Sequence, residues 1–170
     1  MGDDLEAVSR AVGRALAIAE AAPDEALGLV GDNLIRSLVD GGRTATAASA
    51  WWARGLALRK LAQHKGAFSA LSRARGLFLE AGEAGDAHRV SVPLAFEHLV
   101  RGSVDEAVAG LEAAAGGLHG LEAATAEVQL ALVLHRAGRD EDTMAAWDRA
   151  LCAFRAGRPR TRPRYWPTEP

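Results

Sequence analysis

The feature that most constrains the fold of this chain is a short helix-start pattern that returns at a near-constant interval. It ends in a small residue at Ala26, Ala67, Ala107 and Thr143, and these positions lie 41, 40 and 36 residues apart. An interval of this size is typical of arrays of helix pairs, in which each unit is one supersecondary element. Because a single helix pair cannot bury its apolar face alone, the pattern predicts several units stacked on one another.

The remaining helix signals indicate four such pairs. Alanine, the strongest helix former, is abundant, and no alternating apolar and polar run is long enough for a convincing sheet. We therefore expect an all-α protein in which each unit consists of a first helix, a tight turn, a second helix and a longer loop. The eight expected helices pair antiparallel as 4–21 with 23–39, 44–64 with 66–82, 86–101 with 103–117, and 121–137 with 139–155.

Residues at several expected helix ends support these boundaries. Ser103 and Glu106 have the spacing of a capping box, in which both side chains bond free amides of the first turn. Pro23 suits a first helical turn, where a proline loses no hydrogen bond. Pro93 conflicts with the third unit, since an interior proline costs about 3 kcal/mol. Either that helix bends at Pro93, or it begins late with Ser91 as its N-cap.

Small and large apolar residues recur in a shared order within the units. They are Trp51, Gly55, Leu58, Ala67, Leu71 and Ala74 in the second unit, Leu94, Ala95, Gly102, Ala107, Leu111 and Ala114 in the third, and Leu130, Ala131, Leu134, Gly138, Trp147 and Ala150 in the fourth. The first unit keeps only Ala26 and Val30 of the pattern, and Thr143 stands where the fourth unit would have alanine. This order resembles the tetratricopeptide (TPR) family. The resemblance implies an α-solenoid with right-handed stacking, in which small residues let paired helices cross closely.

The last unit is similar to a narrower group of these arrays. Residues 132–139 and 149–155 resemble the alanine- and arginine-rich TPR arrays of actinobacterial CHAT-domain proteins. In many of those proteins the array precedes a caspase-like peptidase domain. The resemblance covers roughly residues 5–156, so it brings no peptidase activity to this chain.

No set of residues in the sequence has the spacing of an active site or a metal site. The five histidines are scattered without an i,i+4 pair, and the glycine-rich turns lack the lysine and hydroxyl residue of a phosphate loop. Acidic pairs such as Asp105 and Glu106 stand at helix starts, where they complement the helix dipole. Cys152 has Leu151 and Phe154 beside it and is expected in the core. We therefore expect no enzyme activity, no cofactor and no metal.

Charge and hydropathy narrow the class of partner. Residues 1–154 hold more acidic than basic side chains, and phosphate recognition needs a basic face, which disfavours nucleic acid as the main partner. No apolar run approaches the roughly 20 residues that a membrane span requires. The acidic start of the chain lacks the apolar segment of a signal peptide, so we expect a cytoplasmic protein.

The expected function is the binding of another protein or an extended peptide in the concave groove that the first helices of TPR units form. Exposed Trp52 and Phe96 flanked by cations would suit a peptide with apolar anchors and an acidic group. The alternative for Trp52 is packing between helix pairs, as one of Trp51 and Trp52 is expected to do. The resemblance places Ser49, Trp52, Leu56, Arg59 and Lys60 in the groove from the second unit, Arg89, Val92, Phe96, Leu99 and Val100 from the third, and Thr125, Val128, Leu132, His135 and Arg136 from the fourth.

A second function stays open, that of a regulatory or sensor subunit in a bacterial signalling, transcriptional or defence system. Residues 157–170 form a tail distinct from the repeat domain 1–156, and their four arginines and four prolines favour an extended chain. In this alternative the tail contacts nucleic acid or an acidic partner.

A terminal repeat leaves apolar surface exposed unless it is capped. We therefore also expect the tail to fold back on the acidic body, or on a neighbouring copy in a homo-oligomer, with Tyr165 and Trp166 as its anchor.

Overall fold

A computed structural model describes the backbone of residues 2–156 and the side chains of residues 6–156. Every regular element in this range is a helix, which confirms the all-α prediction. The tail prediction, with its anchor Tyr165 and Trp166, falls outside the described residues. The helices are α1 (Gly2–Ile18), α2 (Pro23–Leu29), α3 (Asp32–Asp40), α4 (Thr44–Lys60), α5 (His64–Glu80), α6 (Ala84–Val100), α7 (Val104–Gly117), α8 (Gly120–Arg136) and α9 (Asp140–Ala156).

The described range has nine helices instead of the expected eight because the segment 23–39 forms two. After α2, Val30 leaves the helical conformation with φ −114° and ψ 49°. Gly31 then adopts an extended N-cap conformation before α3 begins. Glycines at 28 and 31 weaken this stretch as a helix by about 1 kcal/mol each. The side chain of Val30 is fully buried, so the break directs it into the core.

Five of the described helices end in the same turn. After α3, α4, α5, α6 and α8, the amide of one left-handed residue donates to the carbonyl three residues earlier, at 2.9–3.1 Å. The amide of the next residue donates to the carbonyl five residues before it, at 2.8–3.0 Å. This pair of hydrogen bonds is the Schellman motif. The turns between units are therefore as short as those within them, and the expected longer loops are wrong. The left-handed residues are Gly42, Ala62, Gly82, Gly102 and Gly138.

One of the two alternatives for the start of α6 is excluded, and the predicted capping box of α7 is wrong. α6 begins at Ala84 and continues through Pro93, so Ser91 is not its N-cap. Ser91 is buried inside the helix, and its hydroxyl donates to the carbonyl of Ala87 at 2.9 Å. Ser103 does occupy the N-cap position of α7, but its side chain makes no capping hydrogen bond, so the capping box is not formed.

The helices pack mainly against their neighbours in the chain. From α3 to α9 each helix contacts the next one, α1 contacts α2 and α4, and α6 also contacts α8. Small residues lie within these contacts, since Ala67 and Ala107 are fully buried and Ala150 is nearly so. Gly55 marks a close approach of α4 to α5, because a Cβ atom there would lie 2.7 Å from the side chain of Leu71.

The last described helix, α9, packs on α8 with one face and exposes the other. Ala146 and Ala150 are on the buried face, and Cys152, two positions further along, points away from it. Cys152 is exposed, so its expected place in the core is wrong. The apolar neighbours that suggested burial, Leu151 and Phe154, are themselves 52% and 44% exposed.

Candidate partner-binding recess

Alternate helices α4, α6 and α8 supply the walls of a recess of about 580 Å³, named here the α4–α6–α8 recess. This volume lies within the range of about 300–1,000 Å³ that ligand pockets occupy. Glu20 in the turn after α1 and Leu118 in the turn before α8 also line it. The lining residues are Glu20, Trp52, Leu56, Arg59, Arg89, Val92, Pro93, Phe96, Leu118, Glu122, Thr125 and Gln129.

The centre of the recess is apolar and combines buried with accessible side chains. The ring of Trp52 meets the ring of Phe78 edge-on, with centroids 6.1 Å apart. The indole N–H of Trp52 is buried and has no acceptor among the described residues. Leu118 is buried, whereas Phe96 is 42% exposed. Trp52 therefore packs between helices and also lines the recess, so the two positions considered for it from the sequence are compatible.

Trp51 has a different environment from its neighbour in sequence. It lines a separate shallow depression together with Ile35 and Val39 of α3. The guanidinium of Arg54 lies 5.4 Å from the centre of its ring, within cation–π range. Trp51 thus joins α4 to α3 and contributes nothing to the α4–α6–α8 recess.

The charged side chains at the rim of the recess form ion pairs with each other. Arg59 of α4 forms a salt bridge with Glu20. Arg89 of α6 donates to both carboxylate oxygens of Glu122 on α8, at 2.7 and 3.1 Å, and also to Asp86 at 2.7 Å. The hydrogen bond from Arg89 lowers the pKa of Glu122 below its ordinary value. The hydrogen bond to Glu122 in turn raises the pKa of Arg89. Both rim arginines are therefore already neutralised by carboxylates of this chain.

Several residues expected in the groove lie outside this recess. Lys60 and His135 are exposed, and His135 approaches Asp140 at 3.8 Å. Leu132 and Arg136 line a smaller depression of about 140 Å³ between α6 and α8. Leu99 also lines the smaller depression, and Ser49 lines a depression between α1 and α4. Val100 on α6 and Val128 on α8 line neither of these depressions nor the α4–α6–α8 recess.

The structure adds lining residues that the sequence reasoning missed. Glu122 and Gln129 lie at i−3 and i+4 from the expected groove residue Thr125, so the helical period alone could have found them. Pro93 was treated only as an obstacle to the helix, although it lines the recess. Glu20 has no such signal, because its position depends on how the turn after α1 meets α4.

Elsewhere in the described chain, buried carboxylates join neighbouring helices. The Glu97 side chain on α6 is 1% exposed, and its Oε2 lies 3.1 Å from Nδ1 of His64 on α5. Glu127 of α8 accepts a hydrogen bond from Nε of Arg149 on α9 at 2.8 Å, which raises the pKa of Arg149.

Among the residues described, no three His, Cys, Asp or Glu side chains are grouped as metal ligands would be. Nor does any helix of residues 2–156 have the length and apolar character needed to cross a membrane.

Comparisons with known proteins give a fold and no family. No protein-family model matches the chain, and no curated protein does. Solved structures do match, and one of them is the crystal structure of BtubC (BKLC) from P. vanneervenii. It shares 16% sequence identity with this chain at a TM-score of 0.71, over 91% of this chain and 68% of that chain. A likeness at this identity shows a shared helical fold alone.

Proposed function

We propose that this protein is a non-catalytic TPR-like binding module that holds a segment of another protein in the α4–α6–α8 recess. In this proposal the helix pairs stack right-handedly as a solenoid, and the first helices α4, α6 and α8 form its concave side. The observation that carries the proposal is the recess itself, an accessible apolar cleft between three helices that are not consecutive in the chain. Clefts of this kind accept a few large side chains of a partner.

The paired rim narrows the chemistry of the ligand. A ligand carboxylate that reached Arg59 or Arg89 would have to displace Glu20 or Glu122 from an existing hydrogen bond. The exchange replaces one charge-assisted hydrogen bond by another and gains little free energy. The apolar surface of Phe96 and Leu56, by contrast, gains about 25 cal/mol for each Å² removed from water. We therefore propose a ligand with bulky apolar anchors and no need for an acidic group.

Peptide selection tests the proposal directly. The full chain is used to select peptides from a random display library, and affinities of the enriched peptides are then measured in solution. We expect enrichment of sequences with large apolar residues. Changing Phe96→Ser should weaken their binding about tenfold or more, since a central apolar contact contributes about 1.4 kcal/mol or more to such an interface.

Leu79→Ser is the matched control, because Leu79 is 50% exposed on α5 and lies outside the recess. Its effect on peptide affinity should be within about twofold. Glu122→Gln tests the chemistry of the ligand, since it removes one of the two carboxylate partners of Arg89 and leaves Asp86 in place. Enriched apolar peptides should bind this variant as they bind the parent. Failure to enrich any sequence family, or equal binding by Phe96→Ser, would contradict the proposal.

The alternative, a regulatory subunit whose arginine-rich tail contacts nucleic acid, makes a different prediction. Binding carried by four arginines falls steeply as salt rises, because each neutralised phosphate releases a counterion. Titration of the full chain with a DNA duplex at two salt concentrations separates the two functions. Peptide binding in the α4–α6–α8 recess should change little between them.

A further inference from the structure

The α4–α6–α8 recess continues into the smaller depression between α6 and α8. Val92, Phe96 and Gln129 line both hollows. On each helix the lower-numbered residues line the recess and the higher-numbered ones line the smaller depression, so the hollows follow one another along α6 and α8. Thr125 in the recess and Leu132 in the smaller depression are about 10 Å apart along α8, at 1.5 Å per residue. One partner segment can therefore reach both hollows.

The smaller depression has the size and the lining of a pocket for one apolar side chain. Among its lining residues Leu111 and Val133 are buried, whereas Leu132 is 46% exposed. An apolar cavity of roughly 150 Å³ holds a benzene ring. The volume of about 140 Å³ between α6 and α8 therefore has room for one leucine or phenylalanine side chain. Filling it removes apolar surface of Leu132 from water, which favours binding.

Arg136 gives the smaller depression a charge that the recess lacks. It lines the depression at the end of α8, it is exposed, and among the described residues no carboxylate pairs with it. Arg59 and Arg89 at the recess, by contrast, are paired with carboxylates of this chain. A ligand carboxylate can therefore bind Arg136 without displacing an acidic residue of the protein. An exposed ion pair of this kind strengthens binding by up to about fivefold.

We propose that the smaller depression is a second subsite for the same partner segment, which takes one further apolar side chain and an adjacent acidic residue that pairs with Arg136. This inference rests on the proposed function, since it extends the site beyond the α4–α6–α8 recess. The recess itself requires no acidic group in its ligand, because its arginines are matched. The acidic residue is therefore expected only at the Arg136 end, which gives the bound segment one direction along α6 and α8.

The peptides that the full chain enriches from the random library test the second subsite. We expect them to carry two apolar positions, with an acidic residue beside one of them. Leu132→Ser should weaken the tightest enriched peptide about fivefold, and Arg136→Gln about twofold to fivefold. Changing the acidic residue of the peptide to its amide should weaken binding to the parent by the same factor as Arg136→Gln. The same peptide change should have no effect on binding to Arg136→Gln, because the ion pair is already absent.

Two variants outside both hollows are the matched controls. Leu79→Ser on α5 and Arg155→Gln on α9 change an exposed leucine and an exposed arginine and should leave the affinity unchanged. A cation in the last turn of a helix also complements the helix dipole. If Arg136 has that role alone, Arg136→Gln lowers the melting temperature without changing the affinity, and the proposed ion pair is overturned.

The outcomes separate this inference from the proposed function. Peptides that lose affinity for Phe96→Ser but bind Leu132→Ser and Arg136→Gln as they bind the parent would leave the recess as the binding site and overturn the second subsite. Losses from Arg136→Gln and from the peptide amide that simply add would overturn the pairing. Failure to enrich any peptide would overturn both proposals.

Discussion

The repeated helix-end turn yields a prediction in which the same substitution has opposite effects at two sites. Four of the five turns have glycine at the left-handed position, with φ between 67° and 81°, whereas the turn after α4 has Ala62 at φ 56°. An alanine in this conformation costs roughly 1–2 kcal/mol, because its Cβ crowds the following carbonyl. Ala62 is exposed, so removing its methyl group loses no packing.

Ala62→Gly should therefore stabilise the protein. Relief of about 1–2 kcal/mol is partly offset by about 0.4–1 kcal/mol, since glycine gives the unfolded chain more conformational freedom. The middle of each range gives a net gain in unfolding free energy of about 0.8 kcal/mol. For a chain of 170 residues this raises the melting temperature by roughly 1–4 °C. Thermal and urea unfolding followed by circular dichroism measure both quantities.

Two further variants test the reasoning. Ala109→Gly makes the same change at an exposed position inside α7 and should destabilise by about 1 kcal/mol, because glycine is a poor helix former. Gly102→Ala makes the reverse change at φ 81°, where a Cβ atom would meet no neighbour, and should destabilise through backbone strain alone. If Ala62→Gly destabilises the protein as Ala109→Gly does, the left-handed turn is not the source of the strain.

Three more predictions concern packing, charge and the proline of α6. Gly55→Ala should lower the unfolding free energy by about 1–3 kcal/mol, because the new methyl group overpacks against Leu71. Gly76→Ala has open space around its Cβ position and should raise the unfolding free energy by up to about 1 kcal/mol in the same denaturant titration. Glu122→Gln should lower the unfolding free energy by up to about 1 kcal/mol at pH 7. Because the pKa of Glu122 is lowered in the folded protein, its stabilising contribution is full above the ordinary value of 4.5 and is lost as the pH falls through the folded pKa. The acid unfolding curves of parent and variant should therefore converge. Pro93→Ala should raise the melting temperature, since it restores an interior helical hydrogen bond. It should also weaken the binding of the enriched peptides, since the recess loses the pyrrolidine ring, and unchanged affinity would show that Pro93 takes no part in binding.

Local patterns in the sequence predicted the helical class and most helix positions, because helix propensity and turn chemistry act over a few residues. The period read from Ala67 and Ala107 places both of these residues in buried helix contacts. The break before α3 was missed although Gly28 and Gly31 weaken the helix locally, because the repeat pattern assigned residues 23–39 to a single helix. Cys152 was misplaced for a different reason, since its exposure depends on which face of α9 meets α8, which is a tertiary requirement.

The charges of the candidate site were beyond local reasoning for the same physical cause. Arg59 and Glu20 are 39 residues apart in the chain, and Arg89 and Glu122 are 33 apart. Neither separation is a helical repeat within one element, so no sequence period reveals the pairing. Without it, the arginines suggested a receptor for acidic groups. With it, they belong to a rim of matched charges around an apolar cleft.

Pro93 connects the fold to the proposed function. A proline in the middle of α6 has no amide hydrogen, so the carbonyl of Arg89, four residues earlier, loses its helical donor. This local cost falls within the recess, because both residues line it. The side chain of Arg89 at the same point is paired with Glu122 on α8, which links two walls of the recess. Departures from local helix rules tend to concentrate at binding sites, where shape matters more than helix stability. The position of Pro93 in the wall of the α4–α6–α8 recess thus supports the proposal that a ligand binds there.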